Sequence, residues 1–200
     1  MFDEGYIKFD CQWEKTAPLE DHFLKNLQLW RKKLYDLKLI GAYENGIGYG
    51  NISERLEGNK FIITGSTTGN YKTLNASHFS KVIHFDLSKN SLLCQGPIKA
   101  SSESMSHGAL YKIDSEINAV IHVHHLNLWK KLLYKVPTTD KNVSYGTPEM
   151  ANEIIRLYQN TALPQQKIFA MAGHEEGIIT FGNDLDNAGE ILLNYFYQHI

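Results

Sequence analysis

Hydrophobic positions along the chain fall into helical or strand-like runs separated by polar, glycine-bearing turns, and the order of those runs predicts a mixed α/β protein. Over residues 21–39, Phe23, Leu24, Leu27, Leu29, Trp30, Leu34 and Leu37 recur at roughly helical spacing with lysines on the remaining face. That pattern predicts an amphipathic helix with Gly41 as its C′ residue. A glycine-rich stretch follows at 46–51, where the backbone can turn tightly or approach a ligand. Strands are predicted at 61–64, 81–87 and 91–94, with polar turns at 65–71 and 88–90. A helix opens near Ser102 and runs to about Tyr111, with Ser101 or Ser102 as cap and Glu103 complementing the helix dipole. The β-rich run 118–124 precedes a helix at 126–134. Thr147-Pro148-Glu149 is a strong helix start, combining a capping hydroxyl, a first-turn proline and an acid near the positive end. Short strands at 167–171 and 177–181 and a final helix at 184–196 complete the pattern. Without repeats or linkers, it predicts a single domain over 1–200, a central sheet covered by helices.

Composition narrows the partners. With 42% hydrophobic and 21% charged residues the chain has an ordinary globular balance, and a formal charge of −2 gives no electrostatic case for nucleic acid or an anionic membrane. Cys11 and Cys94 lack any C-x-x-C pattern and read as two reduced thiols. The N-terminus carries Asp3 and Glu4 and no apolar h-region, and no apolar run is long enough to span a bilayer. The expectation is a cytoplasmic protein.

The candidate chemistry centres on His122-Val123-His124. Successive strand side chains alternate, so both imidazoles share one face and can grip one divalent ion. His174 can close a three-nitrogen site with open positions for a ligand. Glu103, on a serine-rich turn, can supply a proton acceptor beside the metal. Asn51, the 64–69 turn, Ser101 and Ser102 offer neutral donors, and together they could cradle a phosphate without lysine or arginine. A plainer reading remains at this point, since nine histidines in the chain make chance neighbours common. His125 alternates to the opposite face and reads as structural, while His22, His78, His84 and His199 have no partner pattern.

These segments, taken in order, resemble the class II aldolase/adducin family. The resemblance is carried by Gly50-Asn51-Ile52-Ser53-Glu54-Arg55, by Ile63-Thr64-Gly65-Ser66-Thr67-Thr68-Gly69, by Ser101-Ser102-Glu103 with His107, by Ala119 to His124, and by Gly173-His174. It implies a three-layer αβα domain with a central, mainly antiparallel sheet. It implies that His122, His124 and His174 bind one divalent metal, zinc first, with manganese or cobalt as alternatives. Glu103 falls on the acid/base position. Asn51, Ser101, Ser102 and, in the extended turn, Thr68-Gly69 fall on phosphate-binding positions, with Thr64-Gly65 or Ser66 as substitutes. His107 is expected in the core or behind the ligands, and Arg55 as a structural ion-pair partner.

The family includes fuculose- and rhamnulose-phosphate aldolases, ribulose-phosphate 4-epimerase and methylthioribulose-phosphate dehydratase. The resemblance therefore implies a metal-dependent aldolase acting on a ketose 1-phosphate or similar sugar phosphate through a metal-stabilised enediolate. A dehydratase or 4-epimerase is the alternative, and an adducin-like binding module the alternative from another class. Epimerase relatives carry Asp where this chain has Glu103, which favours the aldolase or dehydratase, and the intact histidine set argues against the binding module. The 125–147 segment is shorter than in the sugar-phosphate aldolases, so the family's catalytic tyrosine has no clear match; Tyr145 is either a substitute acid or an aromatic packed on a helix start. Glu175 and Glu176 follow His174 and either orient it or face solvent. Family resemblance also implies a homotetramer with active sites at subunit boundaries.

Overall fold

The computed structural model describes residues 5–200. Asp3 and Glu4 lie outside the described residues. In chain order the elements are β1 (Asp10–Lys15), α1 (Lys25–Asp36), β2 (Gly41–Ala42), β3 (Gly48–Tyr49), β4 (Asn51–Arg55), β5 (Phe61–Thr64), β6 (Phe79–Asp86), β7 (Ser91–Gly96), α2 (Ser104–Ile113), β8 (Ala119–His124), α3 (Leu126–Leu132), α4 (Pro148–Asn160), α5 (Leu163–Gln166), β9 (Ile168–Ala170), β10 (Gly177–Gly182) and α6 (Leu185–His199). Eight strands form one sheet in the order β1-β7-β6-β5-β4-β8-β10-β9, while β2 and β3 make a separate ribbon. Among the described strand pairs of this sheet only β1–β7 is parallel, so the sheet is mainly antiparallel.

Each face of the sheet buries its own apolar cluster. On one face Met105, Ala109 and Leu110 of α2 and Met150, Ile154 and Leu157 of α4 pack on Phe61, Ile63, Val120 and Ile179. On the other, Leu27, Trp30 and Leu34 of α1, Leu128 of α3 and Leu192 of α6 pack on Ile52, Ile62, Ile121 and Val123. The result is the three-layer αβα arrangement. Among the described residues no helix is long and apolar enough to cross a membrane.

Three local expectations are corrected. Helix α1 is preceded by a 3-10 turn at Asp21–Phe23, and Lys38 rather than Gly41 takes the left-handed C′ conformation, at φ 59°. The Leu39 amide then closes the end by bonding back to the Leu34 carbonyl, and Gly41 instead starts β2. At α2 the cap position is Glu103, not a serine; the Ser101 hydroxyl accepts from the Glu103 amide and its carbonyl from Ser104. The edge strand β1 was not predicted, because its burial alternates only between exposed and half-buried and gives little hydrophobic contrast. Thr147 caps α4 as expected, accepting from the Met150 amide.

Gly189 shows what fixes α6 in place. A helical glycine costs about 1 kcal/mol relative to alanine, yet a Cβ here would lie 2.2 Å from the Trp30 ring. The indole therefore packs closely against α6 at Gly189, and its N–H reaches Asp186 at 2.6 Å. Gly189→Ala is expected to destabilise the protein by about 1–3 kcal/mol through overpacking, read as a lower urea midpoint; unchanged stability would mean that the α1–α6 contact is loose.

Candidate metal centre

Strand register assembles the centre. Strand β8 lies between β4 and β10, with Asn51 opposite His122 on one side and Gly177 opposite His124 on the other. Ile121 and Val123 point into the α1/α6 face, so His122 and His124 point to the α2/α4 face. His174 arrives from the turn between β9 and β10. The potential ligand atoms of the three rings lie within 4.8 Å of one another, and all three residues are buried. Only glycine fits at 177, since a Cβ there would meet the His174 ring at 2.6 Å and His122 Nε2 at 3.3 Å.

Burial holds His122 and His124 well below the usual imidazole pKa, with mutual repulsion among the rings adding to it. Neutral rings keep lone pairs for a cation. His124 Nε2 and His174 Nε2 approach to 2.9 Å, and His122 Nε2 is buried with no hydrogen-bond partner among the described residues. A buried nitrogen left without a partner is costly, and a shared divalent ion would satisfy it. The donor set therefore fits one such ion.

Outer contacts orient the rings. The Tyr43 hydroxyl donates to Glu176 Oε2 at 2.8 Å and lies 2.9 Å from His124 Nδ1. Glu176 is thus tied to a ligand, at a left-handed φ of 70°, while Glu175 is exposed. Asn51 Nδ2 lies 3.3 Å from His122 Nδ1. Tyr145 is buried with its ring edge-on to His174 at 4.6 Å.

Asn51 also lines a second feature, a small cavity of about 30 Å³ shared with Thr68, Gly69, Ser66, Ser101 and Ser102. The structure thus brings all five residues of the expected phosphate cradle together. Thr64, one alternative, uses its hydroxyl to accept from the Ile52 amide. No lysine or arginine is among the described residues that line this cavity, and the cation behind its turn is Arg31. Arg31 is 1% exposed and donates from Nη2 to the carbonyls of Thr68, Gly69 and Tyr71. It sets a cation behind the turn, and burial lowers its pKa to about 10.

Glu103 is fully buried. Its Oε2 accepts from the Ser106 hydroxyl at 2.9 Å, and its Oε1 has no partner among the described residues. Burial raises its pKa to about 7, opposed by the Ser106 hydrogen bond and the charge of Lys8. His107 lies in the core, 2.6 Å from the Ser53 hydroxyl, with its pKa lowered to about 3 by burial. Among the described residues Arg55 makes no ion pair, a correction; its guanidinium donates to the carbonyls of Tyr111, Asp114, Ile117 and Gly58. His125 caps α3, accepting from the Leu128 amide.

Sequence reasoning missed Arg31, Tyr43 and Lys8. Arg31 had a signal: it sits four residues after Leu27 and three before Leu34, a cation on an apolar stripe. Tyr43 and Lys8 reach the site only through tertiary folding.

The family model for the class II aldolase and adducin N-terminal domain matches residues 42–195. A 3-oxo-tetronate 4-phosphate decarboxylase of Haemophilus influenzae is 30% identical in an alignment 173 residues long, and the match covers 74% of this chain and 75% of that protein. Among solved structures, an L-fuculose 1-phosphate aldolase superposes with a TM-score of 0.68 at 20% identity, covering 90% of this chain and 84% of its own. A putative aldolase/epimerase/decarboxylase from Escherichia coli gives 0.64 at 16% identity, covering 87% and 84%. At these identities the structural matches speak for the fold.

His124→Ala is expected to abolish tight zinc or cobalt binding in a chelator competition. Tyr43→Phe should weaken it roughly tenfold, the size of effect typical of outer contacts to a ligand. Equal affinity in Tyr43→Phe and wild type would make the Tyr43–Glu176 link structural only.

Proposed function

Since the chain belongs to the class II aldolase and adducin N-terminal domain family, we propose that it is a metal-dependent lyase that cleaves or forms a carbon–carbon bond in a ketose 1-phosphate or similar sugar phosphate. The observation that carries this reading is Asn51, whose amide touches His122 and lines the same cavity as Thr68, Gly69, Ser101 and Ser102. One side chain joins a candidate ion site to a candidate phosphate site, which fits a short substrate bridging the two.

A divalent ion held by His122, His124 and His174, zinc before manganese or cobalt, would act as a Lewis acid on the substrate carbonyl and offset the charge left by bond cleavage. The remaining work falls to the chain. Asn51, Ser101, Ser102 and the Thr68–Gly69 turn hold the phosphate, with Arg31 fixing the turn's carbonyls on its far side. Glu103 takes up the hydroxyl proton released as the carbon–carbon bond breaks. It can do so near neutrality because burial brings its pKa close to the working pH.

A second reading is favoured by the relative from H. influenzae: decarboxylation of a phosphorylated 3-oxo acid. It also breaks a carbon–carbon bond next to a carbonyl, with carbon dioxide in place of the aldehyde as the departing group. The deciding experiment assays zinc-loaded protein for dihydroxyacetone phosphate release from a panel of ketose 1-phosphates, and for carbon dioxide release from phosphorylated 3-oxo acids. The first product supports the aldolase and the second the decarboxylase. Neither product, with metal bound, would overturn the lyase reading.

Glu103→Gln is expected to keep metal while lowering kcat by about 10²- to 10⁴-fold, the range of general acid–base catalysis. The active form of the base is the carboxylate. In the cleavage direction kcat/KM should therefore rise with pH through about 7 and then level. A profile flat from pH 5 to 8 would remove Glu103 from that role. The proposed assembly is a cyclic homotetramer with active sites at its subunit boundaries, and light scattering that gives a monomer at micromolar concentration would refute it.

A further inference from the structure

Cys11 and Cys94 stand 83 positions apart in the sequence, and the fold brings their sulfurs to 3.9 Å. Register accounts for the approach. Strand β1 runs parallel to β7 with Cys11 opposite Leu92 and Trp13 opposite Cys94, so the two cysteines are diagonal neighbours. Their side chains share a face, since Cys94 belongs to the apolar cluster under α2 and α4 and Cys11 packs against it. Strand β1 ends the sheet, with β7 as its one neighbour among the described strands. Beyond the ladder itself, the Trp13 indole donates to the Gly96 carbonyl and the Gln95 amide to Glu14.

The two sulfurs differ in access and in charge. Cys11 is half-buried and Cys94 is fully buried. The hydrogen bond between them holds the Cys94 thiol below its usual pKa, and the Ala100 amide adds to this by bonding the same sulfur. That contact with Cys94, together with burial, raises Cys11. The pair therefore shares its protons unevenly, with thiolate character on the inner sulfur and the S–H on the outer one.

We propose that Cys11 and Cys94 form a modification site, an oxidisable pair that closes into a disulfide and staples the edge strand β1 to β7. The oxidant is hydrogen peroxide, which meets the half-exposed Cys11. The Cys11 sulfur attacks one peroxide oxygen, the O–O bond breaks, and the thiol proton leaves with the other oxygen as water. The Cys94 thiolate then attacks the Cys11 sulfur of the sulfenic acid. An S–S bond forms, the S–O bond breaks, and the departing hydroxide takes a proton from solvent. Two cysteines are oxidised and one peroxide is reduced to two waters. Closing the bond brings the sulfurs from 3.9 Å to about 2.0 Å, and β1 can follow because no strand restrains its outer side. Buried cysteines that served only as small apolar filling would show none of this chemistry.

The test treats the reduced full chain with one equivalent of hydrogen peroxide and counts its thiols in denaturant. Wild-type protein should lose both thiols together, stay a single chain on a non-reducing gel, and yield a peptide pair joining Cys11 to Cys94. Dithiothreitol should return both. The oxidised form should melt about 5 °C or more above the reduced one, as a cross-link closing so long a loop would produce. Cys11→Ser should leave Cys94 titratable, because the inner sulfur is oxidised only through the outer one. Two intact thiols after treatment, or one thiol lost beyond recovery, would overturn the proposal. A cross-linked form that melts with the reduced one would overturn the staple, and loss of Cys94 in Cys11→Ser the order of the steps.

Discussion

Strand β8 is buried on both faces, and its side chains alternate between two environments that tolerate no exchange. Ile121 and Val123 fill the apolar layer under α1 and α6, while His122 and His124 face the other way. A slip of one residue would push two imidazoles into hydrocarbon and two aliphatic chains into the ion site. The apolar side of the strand thereby enforces the register of its polar side. The same register sets Asn51 beside His122 and Gly177 beside His124, so hydrophobic packing on one face fixes the chemistry on the other.

The polar groups around β8 share one economy. His122 and His124 need carry no charge when buried, because burial and crowding among the rings hold their pKa values well below the usual imidazole value. Among the described residues Glu103 is left with one oxygen unpartnered, which a folded protein retains chiefly where a ligand or proton supplies the missing partner. Arg31 keeps its charge in the interior because three backbone carbonyls receive it. Those carbonyls belong to the turn whose cavity-facing side is the phosphate-binding candidate, so the guanidinium acts as a fixed positive support.

Much of this was legible from the sequence because it was local. The H-x-H pair, the capped start of α4, the alternation of the strands and the family order of motifs all lie within short windows. Ends of elements were less legible: Lys38 adopts the left-handed conformation expected of Gly41, since the close packing of Leu39 and Ile40 fixes where α1 must stop. The edge strand β1 carried too little hydrophobic contrast to be read. Tyr43 and Lys8 come from two distant stretches of chain, and no window of sequence places them together. Arg31 lay in between, since its position on an apolar stripe was visible although its partners were not.

Glu176 sits in a backbone conformation that side-chain-bearing residues rarely adopt, at φ 70°. Holding it there costs about 1–2 kcal/mol, and glycine would relieve that cost. Glycine would also sever the link through Tyr43 to His124. Selection for a more heat-resistant variant and selection for a better-aligned ligand therefore pull this position in opposite directions. In a stability screen, glycine here would rank among the gains while quietly disarming the centre.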